Sequence, residues 1–172
     1  MVQSRRLWVP VLAALLVAVV LGSGGGAVAA VEPRVTTASI MIPGAAFTPM
    51  DADQEYSIGV SGVMGGATGT TTLFAPLWFP VAVVNIKKIT LYAYDGSTTA
   101  DLWLWLNRAH PSGVTSTEPL GQVGTAGSIG TQVVSTTVIS PRQTNTANYA
   151  LMLRVEIRPN TRLSGVKITY SY

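Results

Sequence analysis

Through residues 38–172, apolar runs of strand length recur, each cut short by glycine, proline, asparagine or aspartate, and no helical period outlasts a turn. This punctuation commits the chain to many short strands, the pattern of a sandwich or barrel. The runs fall at 38–42, 55–63, 70–74, 81–84, 88–94, 100–108, a weaker 121–125, 131–139, 147–157 and 163–172. Between them lie Pro43-Gly44, Gly65-Gly66, Pro76, Pro80, Asp95-Gly96-Ser97, Pro111-Ser112-Gly113, Pro141 and Pro159-Asn160. No strand–helix–strand unit can be drawn, which excludes parallel-sheet folds. The expected fold is all-β, an antiparallel two-sheet β-sandwich of about eight to ten strands.

Face alternation sharpens three of these runs. Tyr149, Leu151, Leu153, Val155 and Ile157 share one face, with Ala150, Met152, Arg154 and Glu156 on the other, so this strand is half-covered by solvent. The last run begins irregularly at Gly165, as a bulge would, and then points Val166, Ile168, Tyr170 and Tyr172 inward. Residues 101–107 differ from both. Leu102, Leu104 and Leu106 lie on one face, Trp103 and Trp105 on the other, so both faces are apolar and the tryptophan side calls for a cover other than water.

The first 30 residues read as an export signal. Residues 1–6 are short and basic, residues 7–21 carry no charge, and small residues follow at Ala27-Val28-Ala29-Ala30. Fifteen apolar residues reach only about 22 Å as a helix, short of the roughly 30 Å of a bilayer core. Cleavage after Ala29 or Ala30 is expected, with an uncleaved anchor as the alternative. Ser4-Arg5-Arg6-Leu7-Trp8-Val9 brushes the twin-arginine pattern, although the hydrophobic run favours the ordinary export route. The expected organisation is a signal-peptide helix at 1–30, a lead-in at 31–37 and one sandwich domain at 38–172. The mature protein is then secreted, whether extracellular, periplasmic or at the cell surface, and has no membrane partner once cleaved.

Without residues 1–30 the chain keeps 17 charges, nine basic and eight acidic, so the sequence pI of 9.5 overstates its basic character. A net charge of +1 makes no nucleic-acid surface. The absence of cysteine rules out a disulfide scaffold and a thiolate zinc site.

Ile42-Pro43-Gly44-Ala45-Ala46-Phe47-Thr48-Pro49, Ile89-Thr90-Leu91-Tyr92-Ala93-Tyr94-Asp95, Asn148-Tyr149-Ala150-Leu151 and Leu163-Ser164-Gly165-Val166-Lys167-Ile168-Thr169-Tyr170 together resemble a family of uncharacterised secreted bacterial proteins. The resemblance spans residues 40–172. It implies a bacterial source and a jelly-roll-like β-sandwich, and it brings no catalytic residues with it.

Catalytic chemistry is poorly supplied. The single histidine, His110, precedes Pro111 in a turn, and a Ser-His-Asp device would need Asp95 or Asp101 folded onto it. The glycine-rich residues 59–69 lead into the strand-forming Thr70-Thr71-Thr72, not into a helix, so a hairpin turn with positive φ fits better than a phosphate loop. Asp51, Asp53 and Glu55 alternate, and on an extended segment they would face one side, where hard oxygen ligands suit Ca²⁺. A solvated loop is the simpler reading of that cluster, and no other cofactor is expected.

Aromatic residues are the strongest signal. Trp103 and Trp105 share a face, as do Tyr92 and Tyr94 on the preceding run. If residues 95–99 form a turn between them, the four rings form one platform. Such a patch is either core or subunit contact, or else an open ligand platform. Trp78, between Pro76 and Pro80, is expected to plug one end of the sandwich. The leading expectation is therefore a non-catalytic structural or interaction protein that self-associates as a homo-oligomer. The alternative is a carbohydrate-binding module that takes a neutral glycan on the aromatic platform.

Overall fold

The computed structural model describes residues 35–99, 102–110 and 117–172. The expected export signal and most of the lead-in lie outside these residues. Among the described residues no helix is long and apolar enough to cross a membrane.

Two antiparallel sheets face each other in a jelly-roll-like sandwich. The larger is built on β6 (Val83–Asp95) and β12 (Arg162–Ser171), which pair along most of their lengths. The free edge of β6 is shared by β10 (Gln143–Asn145) at its start and β9 (Gly130–Thr136) at its end. The free edge of β12 is shared by β4 (Gly62–Gly65) and β1 (Thr37–Pro43), with β3 (Tyr56–Gly59) outside β4. The smaller sheet runs in the order β2 (Thr48–Pro49), β5 (Thr71–Leu77), β11 (Ala150–Ile157), β7 (Leu102–Ala109) and β8 (Glu118–Gly124).

The core fills the space between the sheets. From the smaller sheet come Leu102, Leu104 and Leu106 of β7, Leu151, Leu153, Val155 and Ile157 of β11, and Leu73, Ala75 and Leu77 of β5. From the larger sheet come Ile86, Ile89, Leu91 and Ala93 of β6 and Val166, Ile168 and Tyr170 of β12. The period-two faces of β11 and β12 are those expected as far as Tyr170, beyond which Ser171 is buried and Tyr172 ends exposed.

Two bulges explain where the pattern misleads. The pairing of β12 with β6 slips between Leu163 and Gly165, at the expected irregularity, and again between Thr169 and Tyr170. At the second slip Lys87 is the extra residue on β6, so Ile86 and Ile89 both point inward although three positions apart. One long strand therefore reads in sequence as the two runs 81–84 and 88–94. The 55–63 run is instead two strands, because the chain turns between Gly59 and Gly62, where φ is +131°. Gly62 also lacks room for a side chain, since a Cβ would stand 2.0 Å from the Leu163 carbonyl oxygen.

Trp78 does not plug the sandwich. It is 83% exposed, and its neighbour Phe79 turns inward instead, with its ring edge-on to Tyr170 at 4.8 Å between centroids. Period two settles the matter: buried Leu77 and inward Phe79 leave Trp78 outside. Leu104→Ala should therefore lower the unfolding free energy by about 2–5 kcal/mol. Trp78→Ala should lower it by about 0.5 kcal/mol or less. Chemical denaturation of the two variants checks the contrast, and comparable losses would refute this assignment of inside and outside.

Candidate functional site

With its leucines in the core, β7 presents Trp103 and Trp105 on the outer face of the smaller sheet. Strand register fixes their neighbours. One row across the sheet reads Thr48, Phe74, Arg154, Trp105 and Gln122. The next reads Thr72, Glu156, Trp103 and Gly124. The ring centroids of Trp103 and Trp105 are 6.5 Å apart and their planes are tilted by 33°. The Trp105 Nε1–H donates to Gln122 Oε1 at 3.1 Å, and the Arg154 guanidinium sits 5.0 Å from the Trp105 ring centroid. Arg154 is also ion-paired to Glu156.

Trp103 lies against the backbone of β8. A Cβ on Gly124 would come within 2.7 Å of its Cε3, so only glycine lets the ring rest there. Trp103 is 38% exposed and Trp105 is half-buried. The tryptophan side is thus an outer face, not the core that the sequence pattern allowed. Side chains and backbone of the same sheet cover the inner parts of the rings and leave the rest to solvent. The arrangement can hold a flat, partly apolar ligand while Arg154, Glu156 and Gln122 offer hydrogen bonds around it.

Tyr92 and Tyr94 are not part of this face. β6 and β7 belong to different sheets, so the two strands do not pair as a hairpin. The two tyrosines lie on the outer face of the larger sheet, opposite Val133 and Thr131 of β9, with Arg162 at 5.5 Å from the Tyr94 ring centroid. The expected four-ring platform therefore divides into two pairs, one on each side of the protein. Sequence could not show this, because a five-residue turn serves a hairpin and a crossover equally well.

The acidic residues are not gathered either. The Gln54 N–H donates to the Asp51 carbonyl at 3.3 Å, so residues 51–54 turn instead of extending, and Asp51, Asp53 and Glu55 lose their common side. Among the described residues no group of three or more His, Asp or Glu could hold a metal ion. His110 is exposed and edge-on to Tyr149, with centroids 5.7 Å apart. It lies beyond the far end of β7, roughly 25 Å along the strand from Leu102. Asp95 is the last residue of β6, in the other sheet. It is fully buried, and its Oδ1 accepts the Ser97 N–H at 3.0 Å. Asp101 lies outside the described residues. Glu118 pairs with Arg108 at 2.7 Å.

By sequence, no family model and no curated protein matches the chain. Solved structures do match in shape. The xylan-binding module CBM15 superposes with a TM-score of 0.50 at 12% identity, covering 78% of this chain and 97% of that one. The CBM36-1 domain of a multidomain xylanase from the hindgut metagenome of Trinervitermes trinervoides gives 0.48 at 11% identity, over 76% and 96% of the two chains. The C-terminal CBM6 of a marine laminarinase from Zobellia galactanivorans gives 0.45 at 15%, over 77% and 99%. At such identities the likeness establishes the β-sandwich and nothing finer. The sandwich implied by the family resemblance is thus present, while no sequence match ties the chain to that family.

Gly124→Ala tests the geometry of the face. The added methyl should lift the Trp103 ring and change the tryptophan near-ultraviolet circular dichroism, at a stability cost of about 1 kcal/mol. An unchanged spectrum would mean that the ring does not rest on β8.

Proposed function

We propose that the chain is a secreted, non-catalytic carbohydrate-binding module that receives a soluble neutral glycan on the outer face of its smaller sheet. The observation that carries this reading is the pair of partly exposed tryptophan rings, 6.5 Å apart, set among hydrogen-bonding side chains on a protein of few charges. Sugars present apolar C–H faces and polar hydroxyl edges, and a tryptophan ring ringed by amide, carboxylate and guanidinium groups complements both. The 33° tilt fits successive sugar rings that rotate along a flexible chain better than the flat surface of a crystalline polymer. The xylan-binding module of like fold supplies the first ligand to try. The export signal expected at 1–30 supports action outside the cell, where such polymers are met.

Electrophoresis in native gels cast with soluble arabinoxylan, mixed-linkage β-glucan or laminarin tests the proposal. At least one of these should retard the full chain, and Trp103→Ala/Trp105→Ala should weaken that retardation at least tenfold while thermal unfolding stays cooperative. Absence of retardation by all three, or a double variant as strongly retarded as the parent, would overturn it.

Self-association has a separate support. Among the described residues β3 is an open edge of the larger sheet, and its hairpin with β4 exposes Tyr56, Ile58, Val60 and Met64. An unpaired apolar edge is a template for another strand. If copies pair there, light scattering after size exclusion should show a dimer that Ile58→Lys converts to monomer. A parent chain that is monomeric at high concentration would remove this reading.

A further inference from the structure

The segment Pro76-Leu77-Trp78-Phe79-Pro80 has no part in the tryptophan face, yet it exposes the most accessible tryptophan of the described residues. Trp78 lines a cleft of about 360 Å³ together with Pro76, Phe79, Thr146, Tyr149 and Leu151. That volume lies within the range of small-ligand pockets, roughly 300–1,000 Å³.

Both walls are held in place without a ligand. On one side, Phe79 is anchored edge-on to Tyr170, and prolines at 76 and 80 restrict the backbone around Trp78. On the other, the Thr146 N–H donates to the Ala82 carbonyl at 2.7 Å and its hydroxyl donates to the Val81 carbonyl at 2.9 Å. The Tyr149 N–H donates to the Asn145 carbonyl at 3.1 Å, closing the turn. Behind it, the Tyr149 ring carries the Arg108 guanidinium 4.7 Å from its centroid and His110 at its edge. A preformed cleft avoids the ordering entropy that a loose one would lose on binding. An indole exposed this far on a braced loop contributes nothing visible to the core.

We infer that this cleft is a second glycan site, at the end of the sandwich and apart from the Trp103/Trp105 pair. Among the described residues three aromatic side chains, Trp78, Phe79 and Tyr149, line it and no charged one does, and the Thr146 oxygen keeps lone pairs that can accept a sugar hydroxyl. Such a lining suits a short stretch of neutral sugar. The inference takes the ligand class from the proposed function, but not the site.

Native-gel retardation by soluble arabinoxylan and mixed-linkage β-glucan separates the two sites. Trp78→Ala should weaken binding by roughly twofold to tenfold, as expected for loss of one stacked ring, while Trp78→Phe keeps most of it. Trp103→Ala/Trp105→Ala should leave a residual retardation that disappears when Trp78→Ala is added. If Trp78→Ala binds as the parent does, or the Trp103/Trp105 variant keeps no retardation at all, the second site is overturned and the sheet face stands. If Trp78→Ala alone abolishes binding and the Trp103/Trp105 variant is unaffected, the cleft stands and the sheet face falls. Retardation of neither polysaccharide overturns the cleft as a site for neutral glycans.

Discussion

The burial of one leucine face governs the rest of the molecule. Leu102, Leu104 and Leu106 are all inaccessible between the two sheets. Because side chains alternate along a strand, that burial leaves Trp103 and Trp105 no position but the outer face. A slip of one residue would exchange the two sets, placing two indoles in the core and three leucines in water. At about 2–5 kcal/mol for each large core side chain lost, such a slip is forbidden. The exposed tryptophans follow from the way the core is packed, and the same packing holds them still.

Those rings are then shaped by their neighbours within the sheet. The central strand β11 contributes Arg154 and Glu156, and the edge strand β8 contributes Gln122 and the bare backbone at Gly124. The surface that results is neither a plain apolar patch nor a charged one. Low overall charge matters here, since few long-range fields compete with stacking and short hydrogen bonds. In the proposed function this face meets an uncharged partner that offers both C–H and O–H groups.

Much of this was legible in the residues. The alternation of β11 marked its inward face, and the irregularity at Gly165 marked a bulge that is present. Positive φ in the glycine-rich hairpin also follows from composition. What could not be read was the third dimension. Period and punctuation do not say which sheet a strand joins, and it is the placement of β6 and β7 in different layers that parts Tyr92 and Tyr94 from Trp103 and Trp105. A bulge at Lys87 hid the continuity of β6, since two inward residues three apart break the period. The two- and three-residue strands β2 and β10 are too short to carry any period. Between two prolines the bulk of Trp78 suggests a plug, but alternation from buried Leu77 turns Phe79 inward and leaves Trp78 outside. Arg154 and Glu156 were seen to face outward, but pairing alone brought them beside the tryptophans.

The contact of Phe79 with Tyr170 joins regions that are remote in the chain. Tyr170 belongs to β12, and two residues later Tyr172 exchanges backbone hydrogen bonds with Thr36, at 3.0 and 3.1 Å. Tyr170 and Tyr172 also stack, with ring centroids 5.9 Å apart. One wall of the end cleft is therefore continuous with the clasp that closes the two ends of the sandwich domain. Linkage works in both directions. Whatever steadies that clasp steadies the cleft, and an occupant of the cleft would lend its binding free energy to keeping the domain's first and last strands together.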